Sequence, residues 1–516
     1  MVGGDSEAEA TVIKEIGVLF LRLSFLFPDA IVPSCMLTAR DFYRYLNCPH
    51  WPYWERFGDP GERRALTEVE ERRLADGLDH EVAVLSQRYP SYVTICEEGP
   101  EAGFAATFTA MRSGAAVIYA GWLMDQGWLA RPSILERREG QSKLGSWYYV
   151  PIDIKRAHVL KKEHIFPLVF TSVLLERLQG YFPPHPGILN ADGEYLTFEP
   201  QNYMAEFRDM VSRLERIIEG ECPEPIYRKS CEDTSPWGKA CFRLAKEHDD
   251  IALLFNVEMD KLRFLREHGI RTIYEAADMD PAALEGLESG VTLRALQAIQ
   301  RQAHSLVEQS VIIKKPWKQE VTGVEIHFDI ESHPMTDTDY LYGFWVRDGK
   351  TEYPVSFLAE RPEDEEKMWR AFLAWLPTLP AEYTVYHYAQ YEFERLLILA
   401  KRYGDVENEW LKRFHGRMVD LKEAAREHAV FPLYFYSLKN ICTFLGFAWT
   451  SEVKNGRASI TAYEQWLATQ DRAILEDIVQ YNRDDERATA YLLDWLDRYA
   501  RQETMYGKPY PWQAVT

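Results

Sequence analysis

Cysteine is scarce in this chain. Seven thiols spread over 516 residues do not make the disulfide framework of a secreted scaffold, so a reducing, cytoplasmic compartment is expected. Basic side chains are also in deficit: 59 Lys and Arg stand against 80 Asp and Glu, a formal net charge of -21. That balance argues against broad, nonspecific coating of DNA. It leaves room for a local basic groove, and it suits a site built from carboxylates and neutralised by metal. Long apolar runs are missing too. Ile16–Phe27 is interrupted by Arg22 and is too short to span a bilayer, so no membrane partner is expected. Its upstream flank is acidic and no small-residue cleavage site follows, which argues against a signal peptide. Residues 1–35 read as an N-terminal extension with Met36 as an alternative start; the other reading is an amphipathic docking helix. Glycine-rich phosphate loops, helicase motifs, internal repeats and low-complexity tracts are all absent.

What is present is enough apolar sequence, 46%, for more than one core, and the length calls for two to four domains. The fold class is α/β, multidomain. Residues 36–245 read as a mixed α/β unit. It opens with a capped helix at Met36-Leu37-Thr38-Ala39, continues to a strand pair around Ser133–Arg137 and Trp147–Lys155, and then to a helix at Ile165–Gln179. Residues 246–316 read as wholly helical. The Gly269 turn between short helices gives either a helix-hairpin-helix, whose amides could hold phosphate, or a plain helical spacer. Lys314-Lys315-Pro316 reads as a linker. Residues 320–500 form the last unit, and 501–516 a tail. In that unit Val324, Ile326, Phe328 and Ile330 alternate as a half-buried strand requires. A hairpin at Tyr340–Arg347 and Thr351–Phe357, a helix at Glu363–Leu376 and a strand at Tyr383–Tyr388 follow.

The chemistry concentrates in this last unit. Asp329 and Glu331 lie two apart on a strand, so their side chains share a face and can share a metal. Glu392 sits at a strand-to-helix junction. Tyr481 and Asp485 are four apart on a helix, hence on one face. Two-metal hydrolysis needs several carboxylates converging from distant segments, and these are candidates. Asp420 and Asp484 are fallback ligands. Phe328, Tyr388 and Tyr391 could stack a splayed base, although ordinary core packing is the commoner role for such residues.

The stretches Phe328–Pro334, Val385–Glu392, Val419-Asp420-Leu421, Tyr436-Ser437-Leu438-Lys439 and Tyr481–Asp485 resemble the DEDD-type 3′–5′ exonucleases of the ribonuclease-H-like fold, in the variant with a tyrosine in the last motif. More closely, they resemble the C-terminal half of predicted RecB-family nucleases. The resemblance implies that Asp329, Glu331, Glu392 and Asp485 hold two Mg²⁺ or Mn²⁺ ions and that Tyr481 orients the attacking water. Glu392 departs from the aspartate which the general exonuclease pattern prefers.

The first unit resembles the RecB-type, restriction-endonuclease-like α/β nuclease domain of the same family. Its site residues would be His80, Asp153 and Lys155. Here Pro132-Ser133 stands where Pro-Asp is expected, with Glu136 a conceivable substitute, and Phe166-x3-Phe170 replaces Gln-x3-Tyr. We therefore read this domain as degenerate and expect it to bind rather than cut. The resemblance also implies a [4Fe–4S] cluster on cysteines, for which Cys48, Cys222, Cys231 and Cys241 are the candidates, Ser235 standing where the middle cysteine is expected. The alternative, which we prefer, is buried free thiols.

The expectation is thus a metal-dependent 3′–5′ exonuclease with nucleic acid, DNA before RNA, as its partner and a separate helicase as a further one. Two rivals stand beside it: a noncatalytic nucleic-acid-binding or scaffolding subunit, and a nuclease working through the N-terminal site.

Overall fold

A computed structural model describes residues 33–513 apart from 67, 98, 229–230, 232–233, 256, 288–289 and 319–322. Most of the N-terminal extension, including Ile16–Phe27, lies outside the described residues. The chain divides into two units after Leu253.

The first unit is built on a six-stranded mixed sheet. In spatial order its strands are Val93–Thr94, Val117–Tyr119, Ile134–Ser142, Gly145–Ile154, Gly187–Leu189 and Tyr195–Thr197. The expected strand pair is the central hairpin of this sheet. The expected helix spans Lys162–Gln179 and returns the chain to a parallel neighbour of the second hairpin strand. The helix Ala39–Asn47 opens with a capping box between Thr38 and Asp41, which satisfies two of the orphan donors of a helix start. Its Phe42 packs against Phe170 and Phe207, and Trp128 stacks on Phe170 at 4.6 Å.

The second unit contains a five-stranded sheet in the order Thr351–Leu358, Thr338–Asp348, Val324–His333, Tyr383–His387, Met418–Asp420. Its first three strands, consecutive in sequence, pair antiparallel, and the last two add in parallel. This three-antiparallel, two-parallel arrangement is the ribonuclease-H-like one. The strand Val324–His333 lies at the centre. It is covered on both faces rather than half-buried as its alternation suggests. Ile326, Phe328 and Ile330 enter a core with Phe344, Phe372 and Phe414, where Phe328 stacks on Phe344 at 4.6 Å. His327 and Glu331, on the other face, are closed in because the long helix Arg472–Tyr499 crosses that face.

Two further expectations are corrected. The stretch read as wholly helical contains a strand, Val311–Ile313, because its partners come from far along the chain. It pairs antiparallel with Ala429–Val430 on one side and with Thr504–Tyr506, inside the supposed tail, on the other. Lys314-Lys315-Pro316 is correspondingly no free linker: Lys314 N–H donates to His428 O at 2.8 Å, and Trp317 just beyond is buried, donating its indole N–H to Asp497.

Candidate active site

The central strand places Asp329 and Glu331 on the face that meets the long helix, whose third and fourth turns carry Tyr481, Asn482 and Asp485. One carboxylate oxygen each from Asp329, Glu331 and Asp485 lies within 4.8 Å of the others. Such closeness needs a gap in the sheet. Gly343 is the direct antiparallel partner of Asp329, and a Cβ there would sit 1.8 Å from Asn482 Oδ1 and 1.9 Å from Glu486 Oε1. The glycine lets the helix approach the sheet at the acids.

Neighbouring groups orient each acid. Asn482 Nδ2 donates to Asp329 Oδ2 at 2.7 Å, and Trp449 Nε1 donates to Asp485 Oδ1 at 2.7 Å. Tyr340 donates to Glu331 Oε2 at 3.3 Å and shares a 2.8 Å hydrogen bond with Ser459. Tyr481 is buried and hydrogen-bonded to Asp485. Of these supports only Tyr481 is visible in the sequence motif. Asn482 sits inside the same run, but nothing local marks it as a partner of a residue 153 positions away.

The electrostatics are those of buried acids gathered closely. Burial, then the charge of Asp485, raises Glu331 to about 8. Burial raises Asp485 to about 6, and burial plus the neighbouring carboxylates raises Asp329 well above its ordinary value. Burial, then the charges of Asp485, Glu331 and Asp329, holds the Tyr481 hydroxyl firmly protonated. Glu392, in the first turn of the helix Tyr391–Arg402, is buried and raised by burial; its Oε2 lies 3.4 Å from His387 Nδ1. Its charge raises both Asp329 and Glu331, although it is not within 4.8 Å of all three clustered acids. The backbone just before that helix is constrained, since Ala389 has φ +78° and its N–H donates to Asp420 Oδ1 at 3.0 Å.

The fallback ligands do other work. Asp420 also caps the helix Leu421–His428. Asp484 is fully buried and accepts from the backbone N–H groups of Thr450 and Ser451 at 2.6 and 3.0 Å, clamping a loop. Among the stacking candidates Phe328 is core, and Tyr388 is turned to the Tyr436 carbonyl at 2.7 Å. Tyr391 is exposed, beside Glu392.

The second unit also holds a cavity of about 700 Å³ walled by Arg294, Arg301, Lys314, Lys315 and Arg426, with Glu423 and Glu427 as its acids. Burial, then repulsion from Arg301, Arg426 and Arg294, lowers Lys314 to about 8. In so acidic a chain this is a concentrated basic surface.

In the first unit, Lys155 Nζ lies 3.7 Å from Asp153, and both sit with buried Glu81. His80 is next in sequence to Glu81, and burial, then the charge of Arg156, lowers its pKa. Ser133 is structural: its N–H donates to Asp153 and its hydroxyl accepts from Ile154 N. Phe166 and Phe170 are wholly buried. Among the described residues this unit gathers no cluster of three carboxylates.

The cysteine set needs one correction. Cys48, Cys231 and Cys241 are buried, Cys48 and Cys241 are in contact and Cys231 interacts with both, whereas Cys222 is exposed and its thiol turns to Tyr53 and the Pro223 carbonyl. His50 takes the place beside the thiols. Cys48 and Cys241 Sγ are 3.5 Å apart. In a four-iron cubane each cysteine binds a different iron, and the cluster's own width holds the sulfurs apart. This donor set does not fit a [4Fe–4S] cluster.

No curated protein matches the chain. Residues 326–497 match a family model described as the RNase H superfamily, so the C-terminal part of the chain is a ribonuclease-H-like domain, consistent with a metal-dependent nuclease.

Proposed function

We propose that the second unit is a 3′–5′ exonuclease that hydrolyses phosphodiester bonds of DNA. The convergence of Asp329, Glu331 and Asp485 beside a protonated Tyr481 carries this reading. Asp329, Glu331, Asp485 and Glu392 would hold two Mg²⁺ or Mn²⁺ ions. The donor set fits hard cations: it is all carboxylate oxygen, and its raised proton affinities mark a deficit of positive charge. Divalent ions bound there lower the pKa of water and stabilise the leaving oxygen.

The chain's own groups do the rest. Tyr481, which stays protonated, positions the attacking water through its hydroxyl. Asn482 and Trp449 fix the orientation of Asp329 and Asp485. His387 steadies the longer Glu392. Exposed Tyr391 offers a face for the terminal base, and the five-cation cavity a grip for backbone phosphates. DNA over RNA and the 3′–5′ polarity rest on the resemblance alone. So do a degenerate RecB-type role in binding for the first unit and a separate helicase partner; a cytoplasmic location rests on the scarcity of cysteine, and phosphate-holding amides on the Gly269 turn between short helices. No helix among the described residues is long and apolar enough to cross a membrane.

The test is end-labelled single- and double-stranded DNA and RNA, incubated with Mg²⁺ or Mn²⁺ and wild type, Asp329→Ala or Asp153→Ala. Loss in the first variant alone supports the proposal. Loss in the second alone moves the chemistry to the first unit, and an inert wild type leaves a binding or scaffolding subunit.

A further inference from the structure

We propose that the first unit holds a single zinc ion on Cys48, Cys231, Cys241 and His50. The four residues come from three stretches of chain. Cys48 ends the helix Ala39–Asn47, His50 follows two residues on, and Cys231 and Cys241 lie either side of the start of the helix Gly238–Glu247. All four are buried, with exposures of 0 to 1%. Seven cysteines in 516 residues make a chance meeting of three in one buried spot improbable, and the geometry is specific.

Three observations point to one tetrahedral ion. Zn–S bonds of 2.3 Å at tetrahedral angles put sulfurs roughly 3.8 Å apart. The 3.5 Å between Cys48 and Cys241 is close to that, far from the about 2.05 Å of a disulfide, and too near for cysteines on separate irons. His50 has a ring nitrogen within 4.8 Å of both sulfurs, and its Nε2 lies 2.9 Å from the Pro223 carbonyl. A ring that donates Nε2–H to a carbonyl carries its lone pair on Nδ1, the usual arrangement for a histidine ligand. Backbone N–H groups of His50 and Arg228 point at the sulfurs of Cys48 and Cys231, as they do where thiolates must be stabilised. A divalent ion here would bind the sulfurs as thiolates, with release of their protons to water.

Such an ion joins residues 193 positions apart. It would fasten the helix Ala39–Asn47 to the helix Gly238–Glu247 within the first unit.

The test is the metal content of full-length protein purified without chelator from medium supplied with both zinc and iron. About one zinc per chain, no acid-labile sulfide and no visible absorbance are expected. His50→Cys should keep the zinc by supplying a fourth thiolate, Cys222→Ser should keep it, and Cys241→Ser should lose it. Iron with stoichiometric sulfide, loss of metal in Cys222→Ser, a Cys48–Cys241 disulfide in the fresh protein, or a metal-free protein with all thiols reactive on unfolding would each overturn the proposal. None of these outcomes depends on nuclease activity.

Discussion

Gly343 faces Asp329 across the central antiparallel pair, and the side chain it lacks leaves the space taken by Glu486 and by Asn482, which donates to the acid. Gly343→Ala should push the long helix off the sheet at this point. Overpacking of this kind costs about 1–3 kcal/mol. The variant should melt earlier and bind Mg²⁺ more weakly; calorimetry in buffer and in Mg²⁺ checks both. An alanine tolerated without either change would mean that the helix is free to shift.

Asn482→Ala removes the amide that orients Asp329. Loss of a group that holds a metal ligand typically costs about 10–100-fold in affinity or activity. We expect that loss in a Mg²⁺ titration of cleavage, with the melting temperature little changed.

Tyr481→Phe keeps the ring and removes the hydroxyl. If the hydroxyl positions water, kcat should fall by about 10²-fold or more while metal affinity is retained. Single-turnover cleavage at saturating Mn²⁺ separates the two. A fall in metal affinity with unchanged kcat would make Tyr481 a structural partner of Asp485 instead.

The raised carboxylates predict a pH dependence of stability. Glu331 at about 8 and Asp485 at about 6 bind protons more tightly folded than unfolded. Between the ordinary carboxylate range and pH 8 the folded state therefore holds the extra protons, and stability falls as pH rises. In EDTA the melting temperature of the second unit should drop from pH 5.5 to 8.5, by about 2–4 °C for each kcal/mol of repulsion. Mg²⁺ should restore most at the alkaline end, and Asp329→Asn should flatten the profile.

Arg301→Glu and Arg426→Glu reverse charge in the basic cavity. Each phosphate contact contributes a salt slope of about 0.7–0.9 in log K against log salt. Binding of a labelled oligonucleotide in Ca²⁺ should weaken and lose up to that much slope per contact removed. Unchanged binding would place the strand elsewhere.

The acids were legible because their signals are local: alternation around Phe328 marks the strand, and the spacing of Tyr481 and Asp485 marks a helix face. The supports were not. Tyr340 reaches Glu331 only through hairpin register, and Ser459 joins Tyr340 from 119 residues away. Gly343 reads as an ordinary strand residue until the helix above it is known. In the first unit the sequence motif points to His80, whereas the buried acid beside Asp153 and Lys155 is its neighbour Glu81; one position on a helix turns a side chain by about 100°. Cys222 failed as a candidate for a similar reason: proximity in sequence to Cys231 says nothing about which way a loop thiol faces.

The strand Val311–Ile313, held between Ala429–Val430 and Thr504–Tyr506, has a practical consequence for anyone who wishes to cut the ribonuclease-H-like half free. A fragment trimmed to the sheet and long helix, such as 320–500, would discard both the middle strand and one outer strand of this clasp. It would also discard Trp317, Tyr510 and Trp512, and so bare Trp495 and Tyr499. Such a fragment invites aggregation for reasons unrelated to its chemistry, whereas one that starts ahead of Val311 and runs past Trp512 keeps its seams closed.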